Sequence, residues 1–146
     1  MWRTVLIFGL LIVGVVLAED GQTTYVDLNF DGHPDKLEGE SRGGGRNARN
    51  VTYQVSLFDP QTKTYVFNDA LSTLGSLEAH PDSKTLTSFW RSGPIDTSYV
   101  YQWEGFRLVL VQETVREFKD GGTSTTVKKL KNGKLEVASE SFNPAR

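Results

Sequence analysis

Val51-Thr52-Tyr53-Gln54-Val55-Ser56-Leu57 decides the fold class. Four apolar side chains fall on every second residue and three polar ones between them, the period of a strand buried on one face. Asp59-Pro60-Gln61-Thr62-Lys63 follows, with Pro preset for the second position of a turn. Thr64-Tyr65-Val66-Phe67 then reads as the returning strand of a hairpin. Asp69 to Leu74 has room for a single helical turn, and Thr85 to Trp90 reads as another strand.

The C-terminal third repeats the pattern. Tyr99-Val100-Tyr101-Gln102-Trp103 meets the tight turn Glu104-Gly105, after which Phe106, Leu108 and Leu110 share one face. Asp120-Gly121-Gly122 turns the chain again. Lys131-Asn132-Gly133-Lys134 is a two-residue hairpin signal, because Asn and Gly accept the positive φ such a turn requires. Towards the N-terminus, Thr24-Tyr25-Val26 reads as a first strand, and the Gly-rich stretch Ser41 to Asn50 reads as a loop. With turns every ~8–12 residues, the sequence predicts an all-β antiparallel meander of roughly eight to ten strands.

Residues 1–18 carry a different signal. Arg3 precedes an apolar run from Val5 to Leu17 that closes on Val16-Leu17-Ala18. A basic start, a short apolar stretch and small residues at the −3 and −1 positions predict a secretory signal peptide. The run is shorter than the ~20 residues of a comfortable bilayer-spanning helix. The expected mature chain, residues 19–146, is a single β domain with no stable membrane insertion. The sequence holds 16 basic and 18 acidic residues, a net charge of −2. Loss of Arg3 leaves 15 against 18, a near-neutral balance that gives no electrostatic argument for a nucleic-acid partner or an anionic membrane surface, and no nucleic-acid partner is expected. There is no cysteine, which excludes disulfides, a thiol nucleophile and thiolate metal sites. A small secreted domain built without disulfides points to a bacterial periplasmic location. The same reasoning weighs against glycosylation at Asn50-Val51-Thr52.

Asp27-Leu28-Asn29-Phe30-Asp31-Gly32-His33-Pro34-Asp35 carries the site chemistry. Oxygen side chains at positions 1, 3, 5 and 9, with glycine at 6, follow the spacing of a calcium loop. Calcium is hard and takes about six to eight oxygens. The expected ligands are Asp27, Asn29, Asp31, the backbone carbonyl of His33, and Asp35. Glu38 completes the twelve-residue pattern, but the flanks read as strand, so a strand-loop-strand setting leaves Glu38 on the strand surface.

The sequence nominates no catalytic set, and the protein is expected not to be an enzyme. His80, beside Pro81, reads as a solvated loop residue. No nucleophile elbow, zinc-protease helix or phosphate-binding loop is present. A glycosidase carboxylate pair is defined in space, so sequence spacing alone does not nominate one. Phe89, Trp90 and Trp103 read as core aromatics, whereas Arg91-Ser92-Gly93, followed by Pro94, reads as a polar loop projecting from the sheet.

These segments have a recognisable order. It runs from the Asp27–Asp35 loop to Leu57-Phe58-Asp59-Pro60 and Tyr65-Val66-Phe67-Asn68, then Trp90-Arg91-Ser92-Gly93, then Tyr101-x-Trp103-x-Gly105-x-x-Leu108-Val109-Leu110. Over residues 23–113 it resembles bacterial periplasmic proteins related to the inhibitors of lysozyme. That group includes immunity proteins that neutralise peptidoglycan-hydrolysing effectors of contact-dependent secretion systems. The resemblance implies a compact β-propeller-like or β-sandwich domain with a structural calcium. It also implies a lysozyme-like peptidoglycan hydrolase as protein partner, met by an inhibitory loop containing Arg91, Ser92 and Gly93. The Ser41 to Asn50 insert and the tail after Asp120 have no counterpart in that pattern.

Overall fold

A computed structural model describes residues 23–42 and 50–145. The expected signal peptide and most of the Gly-rich loop lie outside the described residues. Among the described residues there are ten strands and one short helix; the strands are antiparallel, as the alternation predicts, and they divide into two sheets. The first sheet has the order β1-β2-β3-β4, with β1 Thr23–Val26, β2 Asp35–Arg42, β3 Val51–Asp59 and β4 Thr64–Phe67. A single helical turn, α1 Asp69–Ser72, follows. The second sheet runs β10-β9-β8-β7-β6-β5. Its strands are β5 Glu78–His80, β6 Thr85–Ser92, β7 Ile95–Glu104, β8 Arg107–Lys119, β9 Gly122–Lys131 and β10 Lys134–Pro144. Every strand pairs with its sequence neighbour within a sheet, so each sheet is a meander. Among the described residues, no helix is long and apolar enough to cross a membrane.

Local chemistry explains the corners. Asn132 and Gly133 both take positive φ, 49° and 77°, and close the β9–β10 hairpin at Lys131↔Lys134. Asp59 accepts hydrogen bonds from the Gln61 and Thr62 amides and from the Thr62 hydroxyl, fixing the β3–β4 turn. Asn68 caps α1 by accepting from the Leu71 amide at 2.9 Å. A cap of this kind satisfies an otherwise orphaned helix donor.

The fully buried core is Leu28, Leu37, Val55, Leu71 and Leu86. It draws on both sheets and on α1, with Tyr53, Leu57, Tyr101, Trp103 and Leu108 packed around it. Gly75 holds the linker against β6. Its carbonyl accepts from the Ser88 hydroxyl and the Phe89 amide, and a Cβ there would lie 2.6 Å from the Trp90 ring. The outer end of the second sheet is thinner. Within β8, β9 and β10 the only buried residue is Gly122, and Phe118, Val137 and Phe142 are exposed.

Candidate functional site

The Asp27–Pro34 segment joins β1 to β2, whose last pair before the loop is Val26↔Asp35. It is therefore a strand-loop-strand turn, and Glu38 is a strand residue paired with Lys36 at 2.8 Å. Two residues force the path. Gly32 has φ 89° and Phe30 has φ 59°, the left-handed region that glycine enters at no steric cost. Leu28 is buried and its carbonyl accepts from the Trp103 indole at 2.8 Å, which pins the loop to β7.

With Leu28 fixed, the polar side chains curl inwards. The Asp27 carboxylate accepts from the Asp31 amide at 3.2 Å and the Gly32 amide at 2.9 Å. The Asn29 side-chain oxygen also accepts from the Asp31 amide, and its NH2 donates to Asp31 at 2.9 Å. The other Asp31 oxygen accepts from the His33 amide at 2.8 Å. The His33 ring lies against Phe58, with centroids 5.4 Å apart.

Asp35 is placed differently from these three. It is 0 % exposed. One oxygen accepts from the Leu28 amide at 2.7 Å and the other from the Phe58 amide at 2.8 Å. Burial raises the Asp35 carboxyl above its ordinary value, the two backbone hydrogen bonds pull it down, and the nearby charges of Asp27 and Asp31 push it up further. Among the described residues, no Lys or Arg pairs with Asp27, Asp31 or Asp35, and no group of three or more His, Asp or Glu side chains is gathered closely enough to hold a metal ion. Oxygen donors beyond that set are the Asn29 amide and the His33 carbonyl. The donor chemistry of the loop is all oxygen, which suits calcium.

The second predicted site differs from its expectation. Arg91 and Ser92 are not loop residues: they end β6, and the turn is Gly93-Pro94, closed by Ser92↔Ile95. Gly93 takes φ 59°, as the first central residue of a type II′ hairpin turn does. In that register Arg91 faces Asp96 across the strands. Its Nε donates to one Asp96 oxygen at 2.5 Å and an Nη to the other at 2.8 Å. The Arg91 side chain is 25 % exposed, and its guanidinium carbon also lies 5.7 Å from the Phe118 ring centroid. The Arg91 fork is thus engaged within the chain, and the exposed tip is Ser92, Gly93 and Pro94.

Asn50 completes this clamp. Its NH2 donates to the Arg91 carbonyl at 2.9 Å and its oxygen accepts from the Arg91 amide at 2.7 Å. Asn50 is buried, so its amide is turned inwards and used. His80 also departs from its reading as a loop residue, since it ends β5 and bonds to the Thr87 hydroxyl at 2.9 Å. The residue the sequence does not single out is Asp96, which acts through Arg91 on the paired strand; Trp103 reads as a core aromatic and Phe58 as part of a hairpin, but their bonds to the Leu28 carbonyl and to Asp35 are not legible there. A Gly93-Pro94 turn, had it been assigned, would have put Asp96 opposite Arg91.

A third feature borders the calcium-like loop. Asn29, Asp31, Leu57, Asn68, Trp103, Gly105 and Phe106 line an open cleft of about 380 Å³. It lies between that loop, the N-terminus of α1 and the tip of the β7–β8 hairpin.

No protein-family model matches the chain, and no curated protein matches it. Among solved structures, the chain is similar to the "Structure of a Xanthomonas Type IV Secretion System related protein", with TM-score 0.65 and 25 % sequence identity. The match covers 79 % of this chain and 56 % of that one. The chain therefore spans a little over half the length of the protein it resembles, and the likeness extends to sequence as well as to the all-β fold.

Proposed function

We propose that this is a periplasmic, calcium-binding β protein that binds and inhibits a lysozyme-like peptidoglycan hydrolase, in an immunity role linked to a secretion system. The observation that carries the reading is the Asp27–Asp35 loop. Three carboxylates and one amide oxygen lie within nine residues, one carboxylate is buried, and among the described residues no basic side chain offsets them. Calcium held by Asp27, Asn29, Asp31, the His33 carbonyl and Asp35 would supply that missing charge and tie β1 to β2. The likeness to a type IV secretion system related protein supports the secretion-linked half of the reading.

In this account the inhibitory element is the β6–β7 tip. Ser92 and Gly93 would enter the hydrolase cleft, and Arg91, locked to Asp96 and Asn50, would brace the hairpin behind them. A rigid protruding tip loses little entropy on binding, which favours affinity. The test is lysis of purified peptidoglycan by a lysozyme-like hydrolase, with the protein titrated in. Dose-dependent inhibition that Ser92→Trp weakens by more than about tenfold is expected. Unimpeded lysis across lysozyme-like enzymes would overturn the inhibitor role.

A second reading has one observation in its favour: the Arg91 fork is already engaged by Asp96. In it, the domain is a calcium-stabilised extracytoplasmic module for another protein or glycan. Retained calcium binding with no inhibition of any such hydrolase would select it.

A further inference from the structure

We propose that the protein pairs with a second copy of itself through the β7–β8 hairpin tip, the Phe106 ring of each copy seated in the other's cleft. The tip is a two-residue turn, Gly105-Phe106, closed by Glu104↔Arg107. Gly105 takes φ 62°, as such a turn demands. Its neighbour does not follow turn chemistry. Turns favour Gly, Asn, Asp, Ser and Pro, yet the outermost position holds a phenylalanine at 105 % exposure, the most exposed large hydrophobic side chain among the described residues.

The receiving surface lies beside it. The cleft of about 380 Å³ is lined by the apolar Leu57 and Trp103 and the polar Asn29, Asp31 and Asn68. That volume admits a phenyl ring. A knob and a hole on the same patch are what a twofold interface requires, because each copy must present both halves. Phe106 itself stands at the rim of this cleft, so a twofold axis near the tip exchanges the two rings.

Charge fits the same arrangement. Arg107 follows the knob and is 75 % exposed, held only by an exposed pair with Glu104 at 2.6 Å. Asp31 lines the hole. In the calcium-free protein, exchange of the tips would bring the Arg107 of each copy towards the Asp31 carboxylate of the other. A second copy therefore meets both the apolar and the charged requirements of the cleft with residues this chain is known to carry.

The measurement is sedimentation equilibrium of the purified protein in chelator, from micromolar to millimolar concentration, with Phe106→Glu and Phe106→Leu compared to wild type. Each substitution acts twice in a twofold dimer, so about a tenfold loss per contact becomes about a hundredfold loss in the dimer constant. The expected result is a concentration-dependent dimer for wild type and Phe106→Leu and a monomer for Phe106→Glu, all with one melting midpoint when melted at a concentration below the dimer constant, where pairing adds no stability. Phe106 is fully exposed, so the unchanged midpoint separates loss of pairing from loss of fold. A wild type that stays monomeric to millimolar concentration, or a dimer that Phe106→Glu leaves intact, would overturn the proposal. Because calcium is chelated throughout, neither result bears on the metal reading.

Discussion

Asp35 and Asp96 are the two buried carboxylates of the described chain, at 0 % and 5 % exposure, and each lies at the start of the strand that follows a connection holding a glycine and a proline, Asp35 at its first residue and Asp96 at its second. They are compensated in opposite ways. Asp96 meets the Arg91 guanidinium at both oxygens. Asp35 meets only two neutral backbone amides, with Asp27 and Asp31 adding repulsion nearby. A buried charge without a partner is costly, and proteins pair it or place it on a metal. The β6–β7 turn carries its cation covalently, four positions upstream of Ile95. The β1–β2 turn lacks one among the described residues, and this is why calcium is proposed for it.

Removing each carboxylate separates the two cases. Asp35→Ala orphans two backbone amides beneath the loop, at ~1–3 kcal/mol for each buried unsatisfied donor. A loss of about 2–4 kcal/mol in urea unfolding, measured in chelator, is expected. Asp96→Asn leaves Arg91 without its counter-charge. Breaking a fully buried pair costs ~3–5 kcal/mol, but Arg91 keeps partial contact with water, so about 2 kcal/mol is expected. This loss should be the same in calcium and in chelator. A calcium-dependent cost at Asp96 would erase the distinction between the turns.

Gly75→Ala tests the packing behind β6. Its Cβ would meet the Trp90 ring at 2.6 Å and the Phe89 carbonyl at 2.9 Å. Overpacking of this kind costs ~1–3 kcal/mol, again independent of calcium.

The smallest effect concerns Asp59, which accepts amide hydrogen bonds in its own turn as Asp35 does, but in water. Its hydrogen bonds to the Gln61 amide, the Thr62 hydroxyl and the Thr62 amide hold its carboxyl below the ordinary value of 3.8, against a weaker opposing push from burial. The folded state then binds the proton less readily than the unfolded state. The stability Asp59 contributes is present above 3.8 and is lost as pH falls through its lower folded value. Acid titrations of stability should therefore steepen in wild type relative to Asp59→Asn only below that pH. A difference between the two that stays constant as the pH falls through that range would point to a packing role instead.

Much of this was legible in the residues. Alternation along Val51–Leu57 located β3, and Asn132-Gly133 located the last hairpin. The spacing of Asp27, Asn29, Asp31 and Asp35 located the loop, because short polar side chains act on amides two to five residues away. The division into two sheets was not legible. It arises where α1 interrupts the meander and buries Leu71, a tertiary choice with no period of its own. Contacts across large separations were hidden for the same reason: Asn50 reaches Arg91 over 41 residues, and Trp103 reaches the Leu28 carbonyl over 75. A turn placed over Arg91-Ser92-Gly93 leaves the Arg91–Asp96 pair out of register. Moving it by one residue brings Asp96 into register.

The most direct test of the central claim is the melting midpoint in calcium and in chelator, for wild type, Asp31→Ala and Asp96→Asn. Calcium bound to the folded state alone stabilises by RT ln(1 + [L]/Kd), about 2.7 kcal/mol at a hundredfold excess over Kd. Magnesium should substitute poorly, since it demands a stricter octahedron and gives up water reluctantly. The account predicts a rise in calcium for wild type, the same rise from a lower base for Asp96→Asn, and none for Asp31→Ala. An identical wild-type midpoint in calcium and in chelator would contradict it.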